Sequence, residues 1–274
     1  MLTATHELWG YRALVQNLTN RQLKSQYKQS LFGGLWAMIN PAATIGVYSL
    51  VFGVFLNFGR HIPGVNYGDL QSFPLYLFCA IILWSTFNRV AIGSMATFTQ
   101  TGQLLRKVYF PPASPIVAHA FAQLKQSMLE GLIAMLVFAA LGYFSWTFLL
   151  WPLLLPPMLL FALGIGLMLS LANAYYKDVS YLMNILTMLL FYCTPILYSL
   201  DRIGDTEVFG VRATTLLELN PLTHFVAASR ECLYLGVAPS ISRWAAIWVA
   251  AIISLGIGWA VFVRNSRDVS EVVC

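Results

Sequence analysis

Most of the chain is divided among long apolar stretches that short polar segments separate. Each stretch holds about 20–28 residues, and a helix needs roughly 20 apolar residues to cross a hydrocarbon core of about 30 Å. A helix can lie in lipid because its backbone hydrogen bonds are made internally. The pattern predicts an all-α integral membrane protein with six transmembrane helices, over residues 35–58, 73–97, 115–142, 146–172, 179–199 and 242–263.

A basic segment precedes the first apolar stretch. Over residues 9–30, Leu14, Leu18 and Leu23 alternate with Arg and Lys residues. A basic helix with leucine and aromatic anchors lies in the headgroup plane of a membrane rather than crossing it. We therefore expect an N-terminal amphipathic interface helix over 9–30.

The segment 200–240 is apolar enough to enter a membrane but too polar to span it. It contains Glu218, Arg230 and Glu231, together with the pair Asn220–Pro221, at which a helix would break. Backbone that is not helical at membrane depth must be buried in protein or line a wet cavity. We expect two short re-entrant helices here, broken at Asn220–Pro221.

Composition limits what the chain can do alone. The mean hydropathy is +0.70 and only 10% of residues are charged, against about 25% in soluble domains. We expect one transmembrane domain over 1–274, because every loop is too short for a soluble domain. The sequence has no GxxxxGK[ST] motif and no catalytic or metal-ligand pattern. No enzymatic activity, bound cofactor, catalytic residue or metal site is therefore expected in this chain.

The basic residues indicate an orientation rather than a nucleic-acid partner. With a cytoplasmic N-terminus, nine Lys and Arg residues fall inside and five outside, with Arg89 and Lys125 within spans. An excess of Lys and Arg marks the cytoplasmic side. Both termini are expected to be cytoplasmic.

Span three carries polar residues on one helical face. His119, Gln123, Gln126 and Glu130 follow at i, i+4, i+7 and i+11. Ionisable groups in a span are costly, and they mark function or pairing. The stripe either faces a conduit or a moving helix, or it reflects static pairing of Glu130 with Lys125 or Arg89.

Aromatic residues allow two interpretations as well. Trp36, Trp84, Trp146, Trp151 and Trp244 lie near predicted interfaces, where an aromatic belt is expected. Four further aromatic residues have two possible roles: they pack between helices, or they line a conduit for a carbohydrate. They are Phe87, Phe191, Tyr192 and Tyr198.

The polar segment that follows span two could form a docking helix. Arg106 and Lys107 stand among apolar residues, and Pro111 and Pro112 end the segment. Such a helix could insert into a groove of a partner. The alternative is a solvated loop whose charges mark the cytoplasmic side.

Four stretches together carry a resemblance to a known family. They are NRQLKSQYKQSLFGGLWAMINP at 20–41, LLRKVYFPPASPI at 104–116, ANAYYKDVSYLMNILTMLLFYCTPILYS at 172–199 and LNPLTHFVAASRECLYLG at 219–236. In this order and spacing they resemble the membrane subunit of type-2 ABC polysaccharide exporters. Gln22 replaces the usual Asp of that family, Gln26 a usual basic residue, and Lys177 a more common Arg.

The resemblance implies a homodimeric permease in the bacterial plasma membrane. Two copies of a separate ABC ATPase would bind ATP and Mg²⁺, and a lipid-linked polysaccharide would be the substrate. The 100–112 loop would be the coupling loop, whose helix comprises Leu104, Leu105, Arg106, Lys107, Val108, Tyr109 and Phe110. The cytoplasmic gate would comprise Trp9, Tyr11, Arg12, Arg21, Lys24, Tyr27 and Lys28. Asn220, Pro221 and Arg230 would belong to the extracellular gate.

Three alternatives remain open from the sequence. An exporter of a drug or a small lipid would share the same family architecture. An ATP-independent channel or ion-coupled transporter would need acidic coupling sites in similar halves, and only Glu130 is available. A membrane transferase would need an outward-facing catalytic cluster, for which there is no base–nucleophile pattern.

Overall fold

A computed structural model describes residues 10–26, 36–48, 50–51, 55, 72–105, 110–200, 207–208 and 211–272. In these ranges the chain is almost entirely helical, apart from two two-residue strands that pair antiparallel. The helices are α1 (Arg12–Gln26), α2 (Trp36–Tyr48), α3 (Phe73–Leu105), α4 (Ser114–Ala140), α5 (Leu155–Tyr175), α6 (Asp178–Tyr192), α7 (Ala213–Glu218), α8 (Pro221–Arg230) and α9 (Ile241–Val272). A 3-10 helix (Trp146–Leu154) leads into α5, and a π-helical turn (Glu231–Leu235) follows α8. The strands are β1 (Glu207–Val208) and β2 (Val211–Arg212).

Three helices in the described ranges are long and apolar enough to cross a membrane. They cover Phe73–Thr101, Trp146–Tyr175 and Ile241–Asn265. This confirms the prediction of an all-helical protein with membrane-spanning segments. The other predicted spans coincide with α2, with α4 and with the shorter apolar helix α6, and a total of six spans remains a prediction.

Helix α5 lies at the centre of the bundle and packs between α3 and α9. Phe161 of α5 stacks on Phe87 of α3, with ring centroids 5.8 Å apart. On the other side, α5 and α9 cross at Gly164 and Gly258, where a Cβ on either residue would overlap the backbone of the partner helix. Small residues allow such close approach, which replaces the hydrophobic driving force that is absent in lipid.

The same crossing contains a polar contact. Ser254 of α9 donates its hydroxyl to the carbonyl of Phe161, at 2.8 Å. Ser254 and Gly258 are one helical turn apart, so both lie on the face toward α5. The small-residue face of α9 therefore fixes its position against the central helix.

The structure corrects the belt interpretation for two tryptophans. Trp151 and Trp84 are buried within the bundle rather than exposed to lipid. Trp151 packs on Gly131 of α4, where a Cβ would overlap the indole ring. Trp36 and Trp146 are exposed, as a belt requires. The position of a tryptophan along the chain indicates its depth in the membrane. It does not indicate whether the tryptophan lies on the inward or the outward face of its helix.

Helix α6 lies at the edge of the bundle. Thr187 is its only buried residue, while Tyr181 and Tyr192 are 72% and 56% exposed. Its exposed apolar residues also include Leu182, Ile185, Met188 and Leu189. One whole side of this apolar helix is thus open to lipid or to another chain.

Replacement of Gly258 by alanine should destabilise the protein, because the new methyl group would overlap the Gly164 carbonyl. Overpacking of this kind costs about 1–3 kcal/mol. Gly256 supplies a matched control two residues away, since a Cβ there meets no atom within 4 Å. Thermal unfolding of the purified variants in detergent should give a clearly lower midpoint for G258A than for G256A. Equal midpoints would contradict the close crossing.

Candidate functional site at the α8 end of the bundle

Two short helices meet at one end of the bundle, where the sequence predicted a break. Helix α7 ends at Glu218, and α8 begins at Pro221. Asn220 caps α8 by accepting a hydrogen bond from the Leu222 amide at 3.1 Å. Proline suits the first helical position, because a backbone N–H there has no partner within the helix and proline has no N–H. Thr223 donates to the Leu217 carbonyl at 2.6 Å and so closes the end of α7.

Asn220 also joins α8 to the segment that follows α6. Its side-chain amide donates to the Thr194 hydroxyl at 2.9 Å. Helix α6 ends at Tyr192, and Pro195 prevents its continuation. The last carbonyls of a helix have no helical partners, so residues 193–198 (the α6 break) need donors from elsewhere in the protein.

Arg230, the last residue of α8, supplies these donors. Its side chain is buried, and it donates to the carbonyl of Pro195 at 2.5 Å and also to the carbonyl of Ile196. A further bond reaches the Tyr76 carbonyl of α3 at 3.3 Å, and the guanidinium lies 3.7 Å above the Tyr76 ring. A cation near the end of a helix is favoured by the partial negative charge of its carbonyls. Arg230 therefore holds the α6 break and α3 together.

Hydroxyl groups make further contacts at the same end of α8 and in the turn that follows it. Ser229 donates to the Cys79 carbonyl of α3 at 2.6 Å and accepts from the Trp151 indole at 2.9 Å. Thr147 of the 3-10 helix donates to the Cys232 carbonyl at 2.7 Å. Short helix α8 is thereby bonded to α3, to the 3-10 helix and to the α6 break.

The π-helical turn carries the remaining charges of the site. Glu231 pairs with Arg243 of α9 at 3.3 Å, and both side chains are partly exposed. Burial raises the pKa of the Glu231 carboxyl above its ordinary value, and the Arg243 guanidinium partly offsets this effect. The turn ends at Gly236, whose φ of 67° favours glycine.

The polar face of α4 is paired with α3. Glu130 forms an ion pair with Arg89 at 3.0 Å and accepts a hydrogen bond from Gln126 at 3.2 Å. His119 lies 2.9 Å from the Arg89 carbonyl. This is one of the static pairings that the sequence allowed, whereas Lys125 instead reaches Asn20 of α1 at 3.4 Å.

The aromatic conduit candidates form a connected row, in which Trp84 lies between Phe87 and Phe191 and the Phe191 ring meets the Tyr192 ring at 5.5 Å. Phe87 is buried against Phe161, and Phe191 packs edge-on against Trp84 at 5.5 Å. Gln123, Gln126 and Glu130 lie on α4. Tyr192 is exposed on α6, and the Tyr198 hydroxyl donates to its carbonyl at 2.9 Å.

The gate and coupling candidates are described only in part. Tyr11, Arg12, Arg21 and Lys24 are exposed on or beside α1, while Trp9, Tyr27 and Lys28 lie outside the described residues. Positions 104 and 105 end α3, and Phe110 is buried. The other coupling candidates, Arg106, Lys107, Val108 and Tyr109, fall outside the described ranges.

Sequence reasoning missed several parts of the site. Thr194 binds the Asn220 cap of α8 and Trp151 binds Ser229 of α8, yet the partners are 26 and 78 residues apart along the chain. Arg230 was counted among the basic residues of an outside loop, and the structure buries it. In the part of the chain that the structure describes, no three His, Cys, Asp or Glu residues lie close enough to bind a metal ion.

The fold and this site define a helical membrane protein whose short helices close one end of the bundle. The family model for ABC-2 type transporters matches residues 13–234, and the chain belongs to this family. The match includes α1, the α6 break and α8.

Curated relatives match the chain along most of their length. An O-antigen export system permease protein RfbA from Myxococcus xanthus is 26% identical, with 99% of each chain covered. A protein of the same name from Klebsiella pneumoniae is 26% identical, with 93% of each covered. The polysialic acid transport protein KpsM of Escherichia coli is 24% identical over 82% of this chain and 83% of its own length.

Removal of the buried Arg230 guanidinium should destabilise the protein more than removal of the partly exposed guanidinium of Arg243 at the same end of the bundle. R230Q replaces the guanidinium bonds to the carbonyls of Pro195, Ile196 and Tyr76 with those of a shorter, neutral amide that cannot reach all three, and a hydrogen bond to a charged group is worth roughly 1.5–3 kcal/mol. R243Q is the matched control, because a partly exposed ion pair contributes about 0–1 kcal/mol. The midpoint of thermal unfolding in detergent should fall clearly for R230Q and little for R243Q. Similar midpoints would show that the contacts of Arg230 contribute no more to stability than those of Arg243.

A double-mutant cycle should show that Arg89 and Glu130 stabilise the bundle as a pair. E130L leaves the Arg89 cation without its carboxylate and should cost about 2 kcal/mol. R89M/E130L removes both charges and should recover much of that loss. The readout is again the thermal unfolding of purified protein. The second single variant is R89M, and a loss in R89M/E130L equal to the sum of the losses in R89M and E130L would contradict a coupled pair.

Proposed function

We propose that this chain is the transmembrane subunit of an ATP-driven exporter of lipid-linked polysaccharide in the bacterial plasma membrane. The observation that carries the proposal is membership of the ABC-2 transporter family over 13–234, with relatives named for O-antigen and polysialic acid. A separate ABC ATPase would bind ATP and Mg²⁺, since the sequence contains no P-loop motif.

Six spans fit the arrangement of the helices. Helices α2, α4 and α6 would cross the membrane beside the three long apolar helices. Pairing of Glu130 with Arg89 supports a transmembrane position for α4, because it compensates two charges that would be costly in lipid. From the Lys and Arg distribution, both termini face the cytoplasm and the α8 end faces outward.

In this orientation α7 and α8 are the two re-entrant helices, and Asn220, Pro221 and Arg230 belong to the extracellular gate. Support comes from the hydrogen bonds of Asn220 to Thr194 and of Arg230 to Pro195. Both contacts join α8 to the α6 break. A movement of α6 would therefore strain or release α8, and the outer end of a conduit could open with it.

The active form would be a homodimer with two ATPase subunits. The exposed apolar side of α6 supports a second copy at this helix, with the conduit between the protomers. Tyr192 and Tyr198 lie at the end of this side and are the conduit candidates best placed to meet a sugar. Glu130 and Phe87 contact neighbouring helices of their own protomer, and Gln126 bonds Glu130 within α4, so these three would act through packing.

At the other end, α1 would lie in the headgroup layer, with Arg12, Arg21 and Lys24 near the phosphate of the incoming lipid carrier. The segment 104–110 would be the coupling helix. ATP-driven closure of the ATPase dimer would shift this helix and so favour one of two arrangements of the spans. Such coupling requires that the ATPase bind the two arrangements with different affinity.

The test is deletion of the gene in its native bacterium, followed by complementation with tagged variants. The deletion strain should lose surface polysaccharide and accumulate lipid-linked polymer inside the cell. Wild-type protein should restore export and co-purify with a P-loop ATPase. L105D/Y109D should abolish both, because two carboxylates would enter the docking surface.

V237D is the matched control, since Val237 lies in the exposed connection between the π-helical turn and α9. It should retain the ATPase and export. Unchanged surface polysaccharide in the deletion strain, with export of a drug or a small lipid lost instead, would overturn the proposed substrate. If the wild-type chain purifies without any ATPase, the proposal that an ABC ATPase drives export is overturned.

A further inference from the structure

A groove lies where α1 crosses the helices α4, α5 and α9. Its volume is about 1040 Å³, which matches the upper range of small-molecule sites. The walls are mainly apolar, with Phe121 from α4, Leu163 from α5 and Ile252 and Trp259 from α9. We call it the α1 groove.

The position of α1 over the groove is fixed by contacts with α4. Thr19 is buried and donates its hydroxyl to the Ala118 carbonyl at 3.2 Å. One residue later, Asn20 accepts the long hydrogen bond from Lys125. A polar helix is thus held across an apolar surface, as at the boundary between headgroups and acyl chains.

The described charged residues that line the α1 groove are basic. Among the described residues that line it, the charged ones are Arg12 and Lys125, and none is acidic. Gln16 and Thr19 add hydrogen-bonding groups on the same helix as Arg12. The hydrocarbon part of Lys125 can lie along the apolar wall while its ammonium group reaches the polar end. The groove therefore suits a molecule with an anionic head and a hydrocarbon chain.

The surroundings identify the membrane as the source of that molecule. Two walls, α5 and α9, belong to helices that can span a bilayer. Ile252 is 62% exposed and Phe121 45%, so the groove opens on the outer surface of the bundle, where acyl chains can reach it. Its lining includes no residue of α6, the helix whose apolar side would meet a second copy.

We propose that the α1 groove binds one anionic glycerophospholipid per protomer as a resident lipid. One acyl chain lies along Phe121, Leu163 and Ile252, and the phosphate lies beside Arg12 and Lys125. Basic pockets between membrane helices are suited to such headgroups. The bound lipid joins α1 to α4, α5 and α9. Because the proposed function also places Arg12 near the incoming lipid carrier, the inference rests in part on that assignment, and the test distinguishes a phospholipid from a carrier-linked saccharide.

The test uses the full chain, purified in mild detergent with any bound subunits and then delipidated. Phosphatidylglycerol and phosphatidylcholine are titrated separately, and bound lipid is counted by native mass spectrometry. Wild-type protein should bind one phosphatidylglycerol per protomer in preference to phosphatidylcholine. R12Q/K125Q should weaken phosphatidylglycerol binding roughly tenfold or more, from about 1 kcal/mol for each cation.

Two further variants separate charge from space. K177Q removes an exposed cation that is not part of the groove, so it should bind phosphatidylglycerol like the wild type. G256L places a side chain in the open space at Gly256, a lining residue, and should weaken binding of both lipids. Unchanged phosphatidylglycerol binding in both R12Q/K125Q and G256L would overturn the proposal. Recovery of a prenyl-linked saccharide in the groove instead of a phospholipid would overturn the assigned occupant.

Discussion

The interruption of α6 at Pro195 exposes backbone carbonyls that need partners, and the architecture of the α8 end depends on how they are satisfied. Arg230 donates to the carbonyls of Pro195 and Ile196 and stacks on Tyr76. In lipid or protein an unpaired backbone group costs several kcal/mol. The broken helix is therefore tolerable only while α8 is docked, and this makes α8 a structural part of the bundle as well as a candidate gate.

The rest of the bundle is held by close approach rather than by burial of apolar surface from water. Gly164 and Gly258 let α5 and α9 meet at their backbones, while Ser229, Trp151 and Thr147 connect short helices to long ones. Contacts of this kind transmit the displacement of one helix to its neighbours, because closely packed helices are not easily deformed. A transporter that alternates between states can use this property. The α1 groove is lined by no residue of α6, so a lipid there would not occupy the exposed side of α6 that a second copy would cover.

Much of the architecture was predictable from local patterns. Helix type and approximate bounds followed from apolar stretches, and the start of α8 at Pro221 followed from Asn220–Pro221 because capping depends on adjacent residues. The partner of Glu130 could not be chosen from the sequence, since Arg89 and Lys125 are both within reach of a helical face. Trp84 and Trp151 were assigned to a lipid-facing belt, although each is buried. The sequence indicates how deep a residue lies in the membrane. It does not indicate which face of an almost uniformly apolar helix packs against the bundle.

The sequence by itself determined that the chain is helical, that it enters a membrane, and that its function lies with the ABC-2 permeases. These properties depend on composition, periodicity and short motifs, which act locally. The tertiary structure decided that Arg230 binds the α6 break, that Glu130 pairs with Arg89, and that α1 encloses a groove with two cations. Each of these depends on residues between 34 and more than 100 positions apart. Their contact is set by how the helices pack together, which no single segment specifies.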